Sequence, residues 1–162
     1  MKRRELLAAA AALPWVPAMA SAAPAVPGQA VQWPEVTLLD GSRFGAAQAQ
    51  GRALVVVFWS TACPYCRRHN QHVEKLHRAA AGRALTVLGV ARDRDPAAVR
   101  RYLQSQGYGF PVTLDYRPLA EVLSQRNMIP LTVTVDRQGR LKQVIPGEMF
   151  EEDVLELLEL AA

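Results

Sequence analysis

Leu54-Val-Val-Val-Phe-Trp-Ser-Thr-Ala-Cys-Pro-Tyr-Cys-Arg-Arg-His69 decides how the rest of this 162-residue chain is read. The apolar run from Leu54 to Trp59 has the length and β-branched content of a strand buried on both faces. It stops at Ser60-Thr61-Ala62, and a helical pattern opens at Cys63, runs from Pro64 to Ala81 and meets a candidate C-cap in Gly82. The chain's two cysteines, Cys63 and Cys66, therefore sit where a strand hands over to a helix. At such a place the unpaired N–H groups of the first helical turn, with the positive end of the helix dipole, favour thiolate over thiol at Cys63. Cys66, one turn further, is within reach of a mixed disulfide formed at Cys63. Pro64 suits the first helical position, where its missing N–H is not needed. The pattern is that of a redox-active pair with a Cys63–Cys66 disulfide as its oxidised form. A purely structural disulfide in an exported domain is the plainer alternative. Zinc would need further ligands, and no second CxxC follows.

Length and composition set the frame. The chain is long enough for one domain with a full core, and half its residues are hydrophobic, as in ordinary globular proteins. The formal charge is +4, of which Lys2, Arg3, Arg4 and Glu5 supply +2. No basic stripe remains beyond them, so nucleic-acid binding has no support.

Residues 1–22 read as an export signal. Met1-Lys-Arg-Arg4 is a basic start, Leu6–Met19 a mostly apolar middle, and small residues allow cleavage after Ala20 or Ala22. Arg3-Arg4-Glu5-Leu6-Leu7 also fits a twin-arginine signal, so both export routes stay open. Pro14 and Pro17 break an apolar stretch already short for a membrane span. Membrane attachment would follow only if the signal were retained. The expected location is the periplasm, an oxidising compartment where an exposed dithiol needs a partner to keep it reduced. Residues 23–34, rich in Ala and Pro, read as a linker or processed tail, and the folded domain is expected over 35–162.

Along that domain, Val36–Leu39 with Asp40-Gly41 reads as a strand entering a hairpin. Leu85–Val90 is a second buried strand, closing a βαβ unit with the first. Asp95-Pro96 opens a helix with Val99, Tyr102 and Leu103 on its apolar face. Phe110–Leu114 reads as extended and Leu119–Arg126 as a short helix. Leu131–Val135 and Leu141–Ile145 read as an antiparallel pair turned at Asp136–Gly139, and Glu151–Leu160 as an amphipathic helix. His69, His72 and His77 ride the redox helix. The three-residue steps from Cys66 to His69 to His72 drift round the axis by about 60° each, which argues for solvated histidines over a metal site. His69 could still tune the thiols electrostatically.

These features together resemble the TlpA/ResA-like (DsbE-type) branch of the thioredoxin superfamily. The matching segments are Thr37-Leu-Leu-Asp-Gly41, Phe58-Trp59, Cys63-Pro-Tyr-Cys66, Val73-Glu-Lys-Leu76, Gly107-Tyr-Gly-Phe-Pro111, Ile129-Pro130 and Val135-Asp-Arg-Gln-Gly139, in family order from about Trp33 onward. The resemblance implies an α/β thioredoxin-like fold, a central mixed β-sheet flanked by helices, with Pro130 as a cis-proline facing the cysteines. It implies Cys63 as nucleophile and Cys66 as resolving cysteine. Ile129, Pro130, Pro64, Tyr65 and Trp59 become candidate substrate contacts, with no cofactor and no metal.

Several positions depart from the family. Val57 stands where many thioredoxins carry a buried Asp, which leaves the base for Cys66 unassigned among candidates such as Asp93 and Asp95. Tyr65 replaces a frequent Pro and gives a glutaredoxin-like dipeptide; Leu131 replaces a frequent Thr, and Gln71 a helix-kinking Pro. The expected chemistry is thiol–disulfide exchange with protein substrates, in the reducing direction by family resemblance. The same resemblance suggests cytochrome c maturation or copper-site assembly as the setting, with recharging by a DsbD/CcdA-like membrane donor. A copper- or zinc-binding chaperone and a thiol peroxidase using Thr61 are the alternatives.

Overall fold

A computed structural model describes residues 23–162; the expected export signal, residues 1–22, lies outside them. In chain order the elements are β1 (Val36–Thr37), β2 (Arg43–Phe44), α1 (Ala46–Ala49), β3 (Ala53–Trp59), α2 (Pro64–Ala79), β4 (Leu85–Ala91) and α3 (Pro96–Gln106). They continue with β5 (Val112–Thr113), α4 (Tyr116–Leu123), β6 (Leu131–Val135), β7 (Leu141–Pro146) and α5 (Glu151–Glu156), and a 3₁₀ turn over Leu157–Ala161.

Five strands form the main sheet in the order β5-β4-β3-β6-β7. The β5, β4 and β3 strands run parallel, whereas β6 and β7 are antiparallel to their neighbours. Every residue of β3 is buried, as its unbroken apolar run requires. Its side chains alternate between two cores. Val55, Val57 and Trp59 pack with α2, α3 and α5, while Leu54, Val56 and Phe58 pack with α1 and α4. Both crossovers, β3-α2-β4 and β4-α3-β5, keep their helices on the first of these faces, as one handedness of connection dictates.

Gly89, in the middle of β4, has a packing reason. A Cβ there would lie 2.9 Å from Phe110, 3.0 Å from Trp59 Nε1 and 3.0 Å from Val112. Its missing side chain is what lets the Trp59 indole lie against the strand.

Two expectations need correcting. Residues 23–34 are not a free linker. Gly28 N–H donates to Leu141 O (2.7 Å), Leu141 N–H to Gln29 O (2.9 Å) and Val31 N–H to Gly139 O (2.9 Å). Val31 is buried, and Trp33 meets Phe44 edge to face at 6.0 Å. The segment satisfies backbone groups at the start of the outermost strand that would otherwise face solvent. The last helix, expected over Glu151–Leu160, is α-helical only to Glu156 and then tightens into the 3₁₀ turn over Leu157–Ala161, as helix C-termini often do.

Candidate active site

Cys63 occupies the N-cap of α2 with extended backbone (φ −94°, ψ 112°), and its Sγ accepts the Cys66 N–H at 3.1 Å. The sulfur thus takes the place of the oxygen that usually caps a helix. Cys63 and Cys66 are joined as a disulfide with Cα atoms 5.2 Å apart. Their surroundings differ. Cys63 is half-buried and Cys66 has no exposed surface. Cys66 falls on the inward stripe of α2 with His69, Asn70, Val73 and Leu76, the three- and four-residue spacing of a helix face turned to the core.

The strands beside β3 complete the site. Trp59 pairs with Ala91, so the first residues past β4 lie next to the loop that precedes Cys63. Arg92 N–H donates to Trp59 O at 2.9 Å. Asp93 accepts the Thr61 N–H at 3.1 Å and also the Thr61 hydroxyl proton. On the other side Phe58 pairs with Leu131, which brings Pro130 alongside Trp59. The Ile129–Pro130 peptide is cis, Pro130 is buried and Ile129 half-buried. Arg92 reaches across to this loop. Its guanidinium donates to Asn127 O (3.3 Å) and to the Asn127 side chain, and lies 4.8 Å from the centre of the Tyr116 ring.

The candidate residues are not all equally accessible. Pro64 and Tyr65 are exposed, Tyr65 to 61 %, with the Arg68 guanidinium 5.1 Å from its ring centre. Trp59, expected as a substrate contact, has no exposed surface and packs on Tyr102 with ring centres 5.4 Å apart. It supports the site from beneath, because the last residue of a strand buried on both faces stays in the core.

His69 overturns the expectation of solvated histidines. It is wholly buried, with Nε2 3.1 Å from Thr132 Oγ1 and Nδ1 accepting the Met149 N–H at 3.3 Å. Because Nδ1 accepts, the ring proton is on Nε2 and is donated to Thr132, so the neutral imidazole satisfies both partners. Burial, with a smaller contribution from His72, lowers its pKa to about 4, against an opposing pull from Glu148. Both ring nitrogens are occupied by protein groups, so the Cys66–His69–His72 run offers no ready ligand there. Among the described residues, no group of three or more His, Cys, Asp or Glu is placed to hold a metal ion.

Asp95 caps α3 through the Ala97 N–H at 2.8 Å, whereas Asp93 clamps Thr61. The Thr61 hydroxyl is therefore committed to a carboxylate. Sequence reasoning missed Arg92, and also Glu74, which is almost fully buried on α2. Glu74 accepts from the Gly109 N–H (2.8 Å) and from Arg78 (2.7 Å). Arg78 is a local i,i+4 partner of Glu74, but Asn127 and Gly109, the partners that tie Arg92 and Glu74 to other parts of the fold, each lie 35 positions away, and no local pattern announces them.

The comparisons with known proteins agree with this geometry. The family model described as Redoxin matches residues 24–158. The thiol-disulfide oxidoreductase ResA of Halalkalibacterium halodurans is 26 % identical over 75 % of this chain and 69 % of its own. The ResA of Geobacillus kaustophilus is 28 % identical over 76 % and 71 %. A solved structure from Chlorobium tepidum TLS, described as a thiol:disulfide interchange protein of the thioredoxin family, superposes with a TM-score of 0.74. It is 26 % identical and covers 86 % of this chain and 99 % of that one.

Proposed function

This chain belongs to the Redoxin family, and we propose that it is an exported thiol–disulfide oxidoreductase in which Cys63 attacks and Cys66 resolves. The observation that carries the reading is the asymmetry of the pair. One sulfur is half-exposed at a helix N-terminus with an N–H directed at it, and the other is sealed beneath it. In the reducing direction the Cys63 thiolate attacks one sulfur of a substrate disulfide. That S–S bond breaks, and its leaving thiolate takes up a proton. The deprotonated Cys66 then attacks Cys63 Sγ, releases the second substrate thiolate and closes the Cys63–Cys66 disulfide. Two electrons have passed to the substrate. The exposed Pro64 and Tyr65, with the half-buried Ile129, form the surface a substrate chain would meet, while Pro130, itself buried, sets the course of that loop.

The reducing direction, the periplasmic location and a membrane electron donor of the DsbD/CcdA type complete the proposal. They are supported by the family and by the export-signal pattern of residues 1–22. The committed Thr61 hydroxyl speaks against peroxide reduction at Cys63, and the engaged His69 nitrogens speak against a metal chaperone. The test is trapping. Cys66→Ser should accumulate a mixed disulfide through Cys63 with a protein disulfide, and Cys63→Ser should form none. Equal trapping by both variants would overturn the assigned roles. Equilibration in glutathione buffers tests direction: a potential near thioredoxin's roughly −270 mV supports a reductant, and one near −120 mV would make it an oxidant.

A further inference from the structure

A groove of about 730 Å³ lies between β7 and the C-terminal helix, outside the exchange chemistry described above. Ile145, Met149 and Leu157 give it an apolar floor. Its rim carries Glu148, Asp153, Glu156 and Glu159, and no Lys or Arg is among its lining residues. This is not the character of the surface as a whole. Residues 23–162 hold a small excess of basic over acidic side chains, yet six of their carboxylates fall between 148 and 159, and no Lys or Arg follows Lys142. Phe150, 79 % exposed, stands at the same groove.

Two further features say what kind of occupant fits. The β7 strand is one of the two edges of the sheet, and the segment 28–31 covers only its first residue and the turn before it. From Lys142 to Pro146 no strand pairs with its outer side among the described residues. Such an edge is a template for an added extended chain. The groove also connects to the first turns of α2. Glu148 takes two hydrogen bonds from Arg68 (2.8 and 2.6 Å), and Arg68 stacks on Tyr65, the residue before Cys66.

We propose that this groove docks an extended basic segment of the protein whose disulfide or dithiol is exchanged at Cys63. Its backbone lies along β7, its Lys or Arg side chains at alternate positions meet Asp153, Glu156 and Glu159, and an apolar side chain covers Phe150. Alternation follows from the two-residue period of an extended chain, and opposite charge supplies encounter rate and choice of partner. The inference rests on the exchange function above and adds how a partner is selected.

The experiment separates the two. The probes are two labelled, cysteine-free peptides of alternating sequence, one with Lys and one with Glu at the charged positions. Anisotropy titrations at low salt read binding to the oxidised protein, and the reaction of reduced protein with hydroxyethyl disulfide reads chemistry alone. The Lys peptide should bind about tenfold more tightly than the Glu peptide. E156K/E159K should remove that preference, F150A should weaken the Lys peptide several-fold, and both variants should keep the hydroxyethyl disulfide rate within about twofold. Equal binding of the two peptides, or a preference that survives E156K/E159K, overturns the groove assignment. Concentration-dependent dimerisation lost in E156K/E159K would assign the groove to a second copy of this chain and also overturn it. Absence of reaction with hydroxyethyl disulfide would instead sink the exchange function, while the titrations still decide the groove.

Discussion

His69 on the redox helix and Thr132 on β6 are joined by a 3.1 Å hydrogen bond between two buried side chains, two positions beyond the cis-proline. The bond works with a neutral ring. A second proton would remove the lone pair that accepts the Met149 N–H and leave a charge in the core. With its pKa lowered from 6.5 to about 4 by burial, His69 favours the folded state fully above pH 6.5 and loses that contribution as the pH falls toward 4. Between about pH 7 and pH 5, mostly above the carboxylate range, unfolding free energy should drop by about 2 kcal/mol. His69→Gln should flatten that slope. Urea unfolding at the two pH values checks this, and a His69→Gln slope equal to the parent's would exclude His69 as its source.

Asp93 holds the loop ahead of Cys63 through the Thr61 N–H and hydroxyl. Asp93→Ala should cost about 1–2 kcal/mol. It should also slow exchange with a small disulfide several-fold, because the attacking sulfur is less well placed. Asp93→Asn, which keeps an acceptor, should lose less of both. Stopped-flow exchange together with thermal unfolding reads the two effects; no change in either would mean that the clamp is idle.

Gly89→Ala adds a methyl group where three side chains already stand within about contact distance. Overpacking there should cost about 1–3 kcal/mol and shift the fluorescence of the Trp59 indole. An unchanged denaturation midpoint would show that Phe110 and Val112 move aside freely.

Glu74→Ala leaves the backbone N–H groups of Gly109 and Phe110 without their acceptor in a nearly closed site. The expected loss is about 2–4 kcal/mol. Glu74→Gln restores an uncharged acceptor and should recover much of it. Equal losses in the two variants would point to the Arg78 ion pair as the important contact.

The parts of this molecule that could be read in advance are those whose cause is local. A fully apolar run is a doubly buried strand wherever it occurs, and the cysteines and Pro64 announce a helix start by position alone. Asp95-Pro96 likewise specifies its own cap. What could not be read depends on distant partners. His69 looks like one more helix-surface histidine until Thr132 and Met149, 63 and 80 positions away, close over it. The Ala- and Pro-rich stretch 23–34 has linker composition, and its order comes from backbone bonds to residues 139–141. Trp59 neighbours the reactive motif but not the surface, because burial of β3 on both faces outweighs its nearness to Cys63.

The strand order has a consequence for how such a protein can change over time. The redox turn hangs from β3, its clamp from β4 and the cis-proline from β6, three neighbours at the centre of the sheet. A substitution in any of them is felt by the other two. The edge strand β7 is bonded to β6 along its length, but its outer side and the exposed face of the helix after it point away from this centre. If the docking surface proposed above lies there, drift on it would change which partner binds while the exchange step stays as it was.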